Sequence, residues 1–154
     1  MWTYLDKPMN KLSDFPDNAK GFVYLIEFSN GKKYIGKKNL RKTSTLPALK
    51  NGTVREGAIQ VVKIVNHKKV KKDIVTRESD WFTYTGSSTY CAGLVPVKKT
   101  ILAIAQNDYE LTYLEIREQC IHKVLEKEEF INANILAKFF KGRFGNLLNN
   151  LEVE

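Results

Sequence analysis

The chain has 154 residues, 43% hydrophobic and 11% aromatic, enough apolar surface for one packed domain, which excludes a chain disordered throughout. Lys and Arg number 25 against 17 Asp and Glu, a formal net charge of +8 that suits a polyanionic partner such as nucleic acid. No apolar run reaches the ~18–20 residues of a membrane span, the opening MWTYLDKPMN lacks the pattern of a signal peptide, and Cys91 and Cys120 lack metal-ligand spacing, as expected of reduced thiols in a cytoplasm.

Residues 1–20 carry Pro8 and Pro16 without an apolar period, and read as an arm or irregular lead-in. FVYLIEF, 22–28, is rich in β-branched and aromatic residues and predicts a strand. SNG at 29–31 is a turn and KKYIG the returning strand. Residues 37–57, polar with Pro47, Asn51, Gly52 and Gly57, read mostly as loop. IQVVKIV predicts a strand, HKKVKKD a basic tip and DIVT the partner strand of a second hairpin. RESDWFTYTGSS predicts a short helix ending near Gly86, and its Trp81 and Tyr84 are expected to shape the edge of a site. VPVKKTILAIAQND contains a strand over about 98–105.

Asn107 or Asp108 caps the longest predicted helix, about 108–128. Its apolar side carries Leu111, Leu114, Ile121 and Leu125, broadened by Tyr113, Ile116, Cys120 and Val124. The tail FINANILAKFFKGRFGNLLNN predicts a shorter helix or an ordered wrap in which Phe139, Phe140 and Phe144 pack. With no repeat, low-complexity tract or linker, the expectation is one compact domain of mixed α and β: an arm at 1–20, a domain over 21–135, and a C-terminal segment, 136–154, packed on it.

The first hairpin places two tyrosines, Tyr24 and Tyr34, ten positions apart. A two-residue Asn30-Gly31 loop would put them on opposite faces, because a one-residue shift in register flips every side chain. A three-residue loop, 29–31, closed by Gly31 in the left-handed conformation, sets Phe28 opposite Lys32 and Ile26 opposite Tyr34. The tyrosines then share a face as diagonal neighbours, roughly 7–8 Å apart. A shared catalytic role requires this second register.

FVY ten positions before YIG, followed in order by ESDWFTYTGSS (78–88), TYLEIREQ (112–119) and FIN (130–132), resembles the GIY-YIG endonuclease superfamily, and within it a phage-encoded, free-standing, homing-type branch. YIG is intact at Tyr34, Ile35 and Gly36. In the first motif Phe22 stands where Gly is usual, just after Gly21. The resemblance implies a small three-stranded antiparallel sheet flanked by helices (α+β). It also implies hydrolysis of DNA phosphodiester bonds with one divalent ion, Mg2+ or Mn2+. Tyr24 or Tyr34 would position or deprotonate the attacking water, Lys37 would meet a phosphate oxygen, and Asn132 would brace the site. A helix glutamate, Glu115 first and Glu118 second, would hold the metal. The expected catalytic arginine is Arg77, on the predicted helix, with Arg41 as the alternative.

Among the other basic and polar residues, Lys38, His67, Lys68, Lys69, Lys71 and Lys72 are candidates for nucleic-acid contact, because neutralised phosphates dominate non-specific affinity. Ser87 and Ser88 are candidates through their hydroxyls. The expected partner is double-stranded DNA, bound by a monomer or homodimer, with no membrane involved.

Overall fold

A computed structural model describes residues 1–145. In chain order the strands are β1 (Trp2–Tyr4), β2 (Lys7–Met9), β3 (Gly21–Phe28), β4 (Lys33–Asn39), β5 (Arg41–Pro47), β6 (Ala58–Val65), β7 (Lys68–Glu78) and β8 (Pro96–Ala105). Helix α1 (Asp108–Ile121) follows, then two short strands, β9 (Asn134–Ile135) and β10 (Phe139–Phe140). Two units result: residues 1–38 together with those from 82 onward, and an inserted unit, 39–81. The tail from 146 to the end of the expected 136–154 segment, including the end of GRFGNLL, lies outside the described residues.

The larger unit is built on a mixed five-stranded sheet in the order β2-β1-β8-β3-β4, in place of the three strands expected. The additional strands come from the lead-in that read as irregular. β1 runs parallel to β8 and turns antiparallel into β2 through Leu5 and Asp6, both at positive φ. Apolar anchoring explains why these few residues order. Trp2 is fully buried, with its ring centroid 5.1 Å from that of Phe22 and 5.4 Å from that of Tyr24. Phe15 stacks on Phe22 at 5.7 Å. Burying one such side chain contributes roughly 1.5–3 kcal/mol, and isolated aromatics leave no period for a sequence reading to find. Phe22, in the place of the usual Gly, fills the space among these rings.

β3 lies between β8 and β4, and its two faces serve different purposes. Phe22, Tyr24, Ile26 and Phe28 are buried on one. Val23 packs from the other into a core with Ile35, Ala103, Ala105, Leu111, Val124 and Phe130. Helix α1 begins as expected: the Asn107 side chain accepts from the Glu110 N–H at 2.8 Å. It ends seven residues early, because Lys123 takes a left-handed φ of 51° and the Val124 N–H reaches back to the Gln119 carbonyl at 3.1 Å, a Schellman-type closure. The inward face is also rotated from the predicted stripe. Leu111, Glu118 and Gln119 are buried, whereas Ile121 and Tyr113 face solvent. Phe139 and Phe144 are also exposed, and 134–140 form a short hairpin instead of a helix or a packed wrap.

The inserted unit is a three-stranded antiparallel sheet, β5-β7-β6. Residues 41–47, expected as loop, pair along β7. The basic tip shrinks to Asn66 and His67, whose φ values of 49° and 62° make a two-residue hairpin turn, so Lys68, Lys69, Lys71 and Lys72 lie on β7 itself. No helix forms over 77–86: β7 runs to Glu78, Ser79 N–H bonds the Leu40 carbonyl, and the nearest helical turn is the 3-10 segment Thr89–Cys91. Asp73 is fully buried in this unit, paired with Arg55 at 2.9 Å and Gln60 at 3.3 Å.

Candidate active site

The site grows from the first hairpin. Gly31 takes φ +81°, its N–H bonds the Phe28 carbonyl at 2.9 Å, and Phe28 N–H bonds the Lys32 carbonyl at 2.8 Å. This is the three-residue loop, and it brings Tyr24 and Tyr34 to one face with ring centroids 6.2 Å apart. The rings close over Gly36. A Cβ there would lie 2.6 Å from the Tyr24 hydroxyl and 2.9 Å from the Tyr34 ring. The glycine of YIG is thus a steric requirement of the tyrosine pair.

Tyr24 is fully buried, and its hydroxyl has no partner in hydrogen-bond geometry among the described residues. Burial, then the neighbouring Tyr84 and Tyr34, push its pKa far above the ordinary phenol value. Tyr34 is raised too, by burial first, with a hydrogen bond to Ser87 partly offsetting it. Tyr84 stands edge-on to Tyr24 at 5.8 Å. Its backbone is held by the largely buried Lys99, whose ammonium donates to the Tyr84 carbonyl at 2.7 Å and the Phe82 carbonyl at 3.1 Å. The same ammonium lies 4.3 Å from the Trp2 ring. Lys38 lies over the Tyr84 ring at 3.9 Å, so β4 contributes a cation to this aromatic group.

The second half comes from α1. The Lys37 ammonium is 3.4 Å from the Glu115 carboxylate and donates to the Thr112 hydroxyl at 2.8 Å. Burial raises the Glu115 pKa and Lys37 opposes the shift without cancelling it. Glu118, one turn along, is engaged elsewhere: it pairs with Arg117 at 2.9 Å and lies 3.7 Å from His122 Nδ1. Asn132 is buried and grips Ile35 of the YIG strand, accepting from its N–H at 3.1 Å and donating to its carbonyl at 2.7 Å. Gln119 donates to the same carbonyl at 3.3 Å.

A cleft of about 400 Å³ collects Tyr34, Ser88, Thr89, Tyr90, Glu115, Gln119 and Asn132 in its wall. Glu115 is its one carboxylate among the described residues, and Glu118 does not line it. No group of three or more His, Cys, Asp or Glu that could hold a metal occurs among the described residues. This donor set does not suit zinc, which takes three or four protein ligands. It fits a hard ion such as Mg2+, which keeps waters and binds through one or two carboxylates plus phosphate.

The two expected arginines are placed differently. Arg41 lies on β5 opposite Glu78, and Arg77 on β7 opposite Lys42. Both belong to the inserted unit and neither sits on a helix, because the segments expected as loop and helix pair instead as strands. His67 is at the β6–β7 turn. Sequence reasoning gave no site role to Gln119, Thr112 or Lys99, and only an edge position to Tyr84. A glutamine four residues after Glu115 was the one local signal, since that spacing stacks two side chains on one helix face.

Cys91 is buried and Cys120 exposed, and both are free thiols. Among the described residues no helix is long and apolar enough to cross a membrane. No curated protein and no solved structure was found to match the chain. The family described as "Putative endonuclease segE, GIY-YIG domain" matches residues 2–135, a span that begins with β1 and ends with β9. With paired tyrosines over the YIG glycine and a match across most of its length, the chain belongs to the GIY-YIG endonuclease family.

Proposed function

We propose that this protein is a divalent-metal-dependent endonuclease that hydrolyses phosphodiester bonds of double-stranded DNA, using one Mg2+ or Mn2+. A homing-type role, encoded by a phage and acting in the cytoplasm of its bacterial host, follows from the same reading. The observation that carries it is the convergence of Tyr24 and Tyr34, 6.2 Å apart, with Lys37 and Glu115, 3.4 Å apart, on one hairpin and one helix. Their roles follow from their environments. Phenols are protonated near neutral pH and burial raises both of these further, so they act by hydrogen-bonding and orienting the attacking water. Lys37 leaves Glu115 and Thr112 to meet a non-bridging phosphate oxygen. Asn132 keeps the YIG strand in register against the helix. Glu115 would hold the ion, which when bound polarises the phosphate and neutralises the leaving oxygen. In the inserted unit, Arg77 first, or Arg41, would offer a guanidinium for bidentate contact with a DNA phosphate.

Supercoiled plasmid incubated with the wild type in Mg2+ and in EDTA tests this, alongside Glu115→Ala and Tyr24→Phe. Cleavage only by the wild type with Mg2+ is expected. Full activity in both variants contradicts the assignment. A second reading, a nucleic-acid binder on a lapsed nuclease scaffold, is favoured by Phe22 in the place of the usual Gly and by the strand positions of both arginines. It predicts binding that survives EDTA with no cleavage under any divalent ion.

A further inference from the structure

The inserted unit has a feature that its own packing does not explain. Residues 39–81 hold ten Lys and Arg against four Asp and Glu, so this unit carries +6 of the chain's +8. β5 pairs with β7 only as far as Pro47 opposite Lys72. Beyond that rung β6 and β7 continue as a two-stranded ribbon through Val65 and Lys68 to the turn at Asn66 and His67. Four residues on each strand make the ribbon about 14 Å long before the turn.

Every side chain from 62 to 69 is exposed and Val70 is half-buried, so neither face of the ribbon puts a fully buried residue into a core. Its composition is regular. The pairs Val62 with Lys71, Lys63 with Val70, Ile64 with Lys69 and Val65 with Lys68 each set one lysine against one aliphatic residue. Both faces therefore show two ammonium groups and two aliphatic side chains. The ribbon contains no Asp or Glu, and none of the four lysines has an ion pair among the described residues. Val62 at 60% and Ile64 at 74% exposure are held in water by a scaffold that gains nothing from burying them. Lysines alone would serve as protection against edge-to-edge pairing. Exposed aliphatics on three of the four rungs, Val62, Ile64 and Val65, work against that purpose and point to a partner.

We infer that the β6–β7 ribbon is a DNA-binding arm that enters the major groove of a B-form duplex. The major groove, ~12 Å wide, admits a two-stranded ribbon, whereas the major groove of duplex RNA is too narrow for side chains to read. Lysines on both faces reach the two bordering phosphate rows. Val62, Ile64, Val65 and Val70 meet base edges and thymine methyl groups, and His67 leads at the tip. This inference rests on DNA being the substrate, and it assigns the grip to an element separate from the cleft residues.

The test uses the full chain and a labelled mixed-sequence DNA duplex in EDTA, so that binding is read without cleavage. Lys63, Lys68, Lys69 and Lys71 are replaced together by Gln. A matched control replaces exposed Lys7, Lys11, Lys127 and Lys138. The ribbon variant is expected to lower the slope of log affinity against log salt by about 2–4, at ~0.9 for each phosphate that is no longer neutralised, with an unchanged urea midpoint. The control variant should keep the wild-type slope. Should the quadruple variant unfold, the face-specific pairs Lys69/Lys71 and Lys63/Lys68 are each expected to lower it by about 1–2. A wild-type slope in the ribbon variants overturns the inference, as does an equal loss in the control or equal competition by duplex RNA. Catalysis is read apart from this: an inactive wild type with these slopes refutes hydrolysis and leaves the arm in place.

Discussion

The side-chain amide of Asn132 holds both polar backbone groups of Ile35, with its oxygen 3.1 Å from the N–H and its nitrogen 2.7 Å from the carbonyl. β4 is the edge strand of the larger sheet, and a buried edge strand leaves donors and acceptors that must find partners. Neighbouring backbone does part of this, since Lys33 N–H bonds the Glu129 carbonyl and Ile131 N–H bonds the Lys33 carbonyl. At Ile35 an amide side chain completes the edge. Asn132→Ala leaves the Ile35 N–H unpaired, and Gln119 alone satisfies the carbonyl. We expect a loss of about 1–3 kcal/mol in urea denaturation together with impaired cleavage. An unchanged midpoint contradicts the clamp.

Gly36→Ala tests the tyrosine pair without removing either hydroxyl. The added methyl group falls within 2.9 Å of Tyr24 Cζ and of Tyr34 Cε1. Tyr24 has little room to yield, enclosed by Trp2, Phe22 and Tyr84. Over-packing of this kind costs about 1–3 kcal/mol, and an ångström of misplacement in a catalytic group can cost roughly a hundredfold in rate. A folded variant with at least a tenfold loss of plasmid cleavage is expected. Wild-type turnover would show that the glycine is not needed to seat the two rings.

Glu115→Gln separates catalysis from stability. Burial raises the folded-state pKa above the ordinary carboxyl value of 4.5, so the folded protein holds this proton more tightly than the unfolded chain does. Ionising Glu115 therefore destabilises the fold as pH rises through 4.5 toward the elevated value, and the deficit is complete above that value. Gln carries no such charge. The variant is expected to match the wild type in stability below pH 4.5 and to exceed it near neutral pH, while losing Mg2+-dependent cleavage. Urea midpoints across that range read the first effect, and plasmid nicking the second. A variant less stable than wild type at neutral pH would mean that the Lys37 contact outweighs desolvation.

Much of the site was legible because it is local. The spacing from Tyr24 to Tyr34 and the Gly31 turn require only hairpin geometry, and a three-residue loop permits just one face for the pair. Glu115 and Lys37 were indicated by the family resemblance alone, and it is tertiary packing that puts Glu115 in the cleft wall and sets Glu118 beside Arg117 and His122. Lys99 was not legible. A lysine in a strand reads as surface charge, and only the return of residues 82–84 and of Trp2 makes it a buried donor.

Composition and local spacing sufficed for a basic mixed α and β protein, for a first hairpin whose Gly31 suits a three-residue turn and for a helix start at Asn107 or Asp108, because these depend on residues close together in the chain. Tertiary structure decided the remainder. The lead-in became β1 and β2 because Trp2 and Phe15 found Phe22 across the sheet. Residues 41–47 became a strand because β7 offered them a ladder, and α1 turned Gln119 and Glu118 inward instead of Ile121. In each case the stabilising contacts join residues far apart in sequence, where neither propensity nor periodicity carries information about the partner.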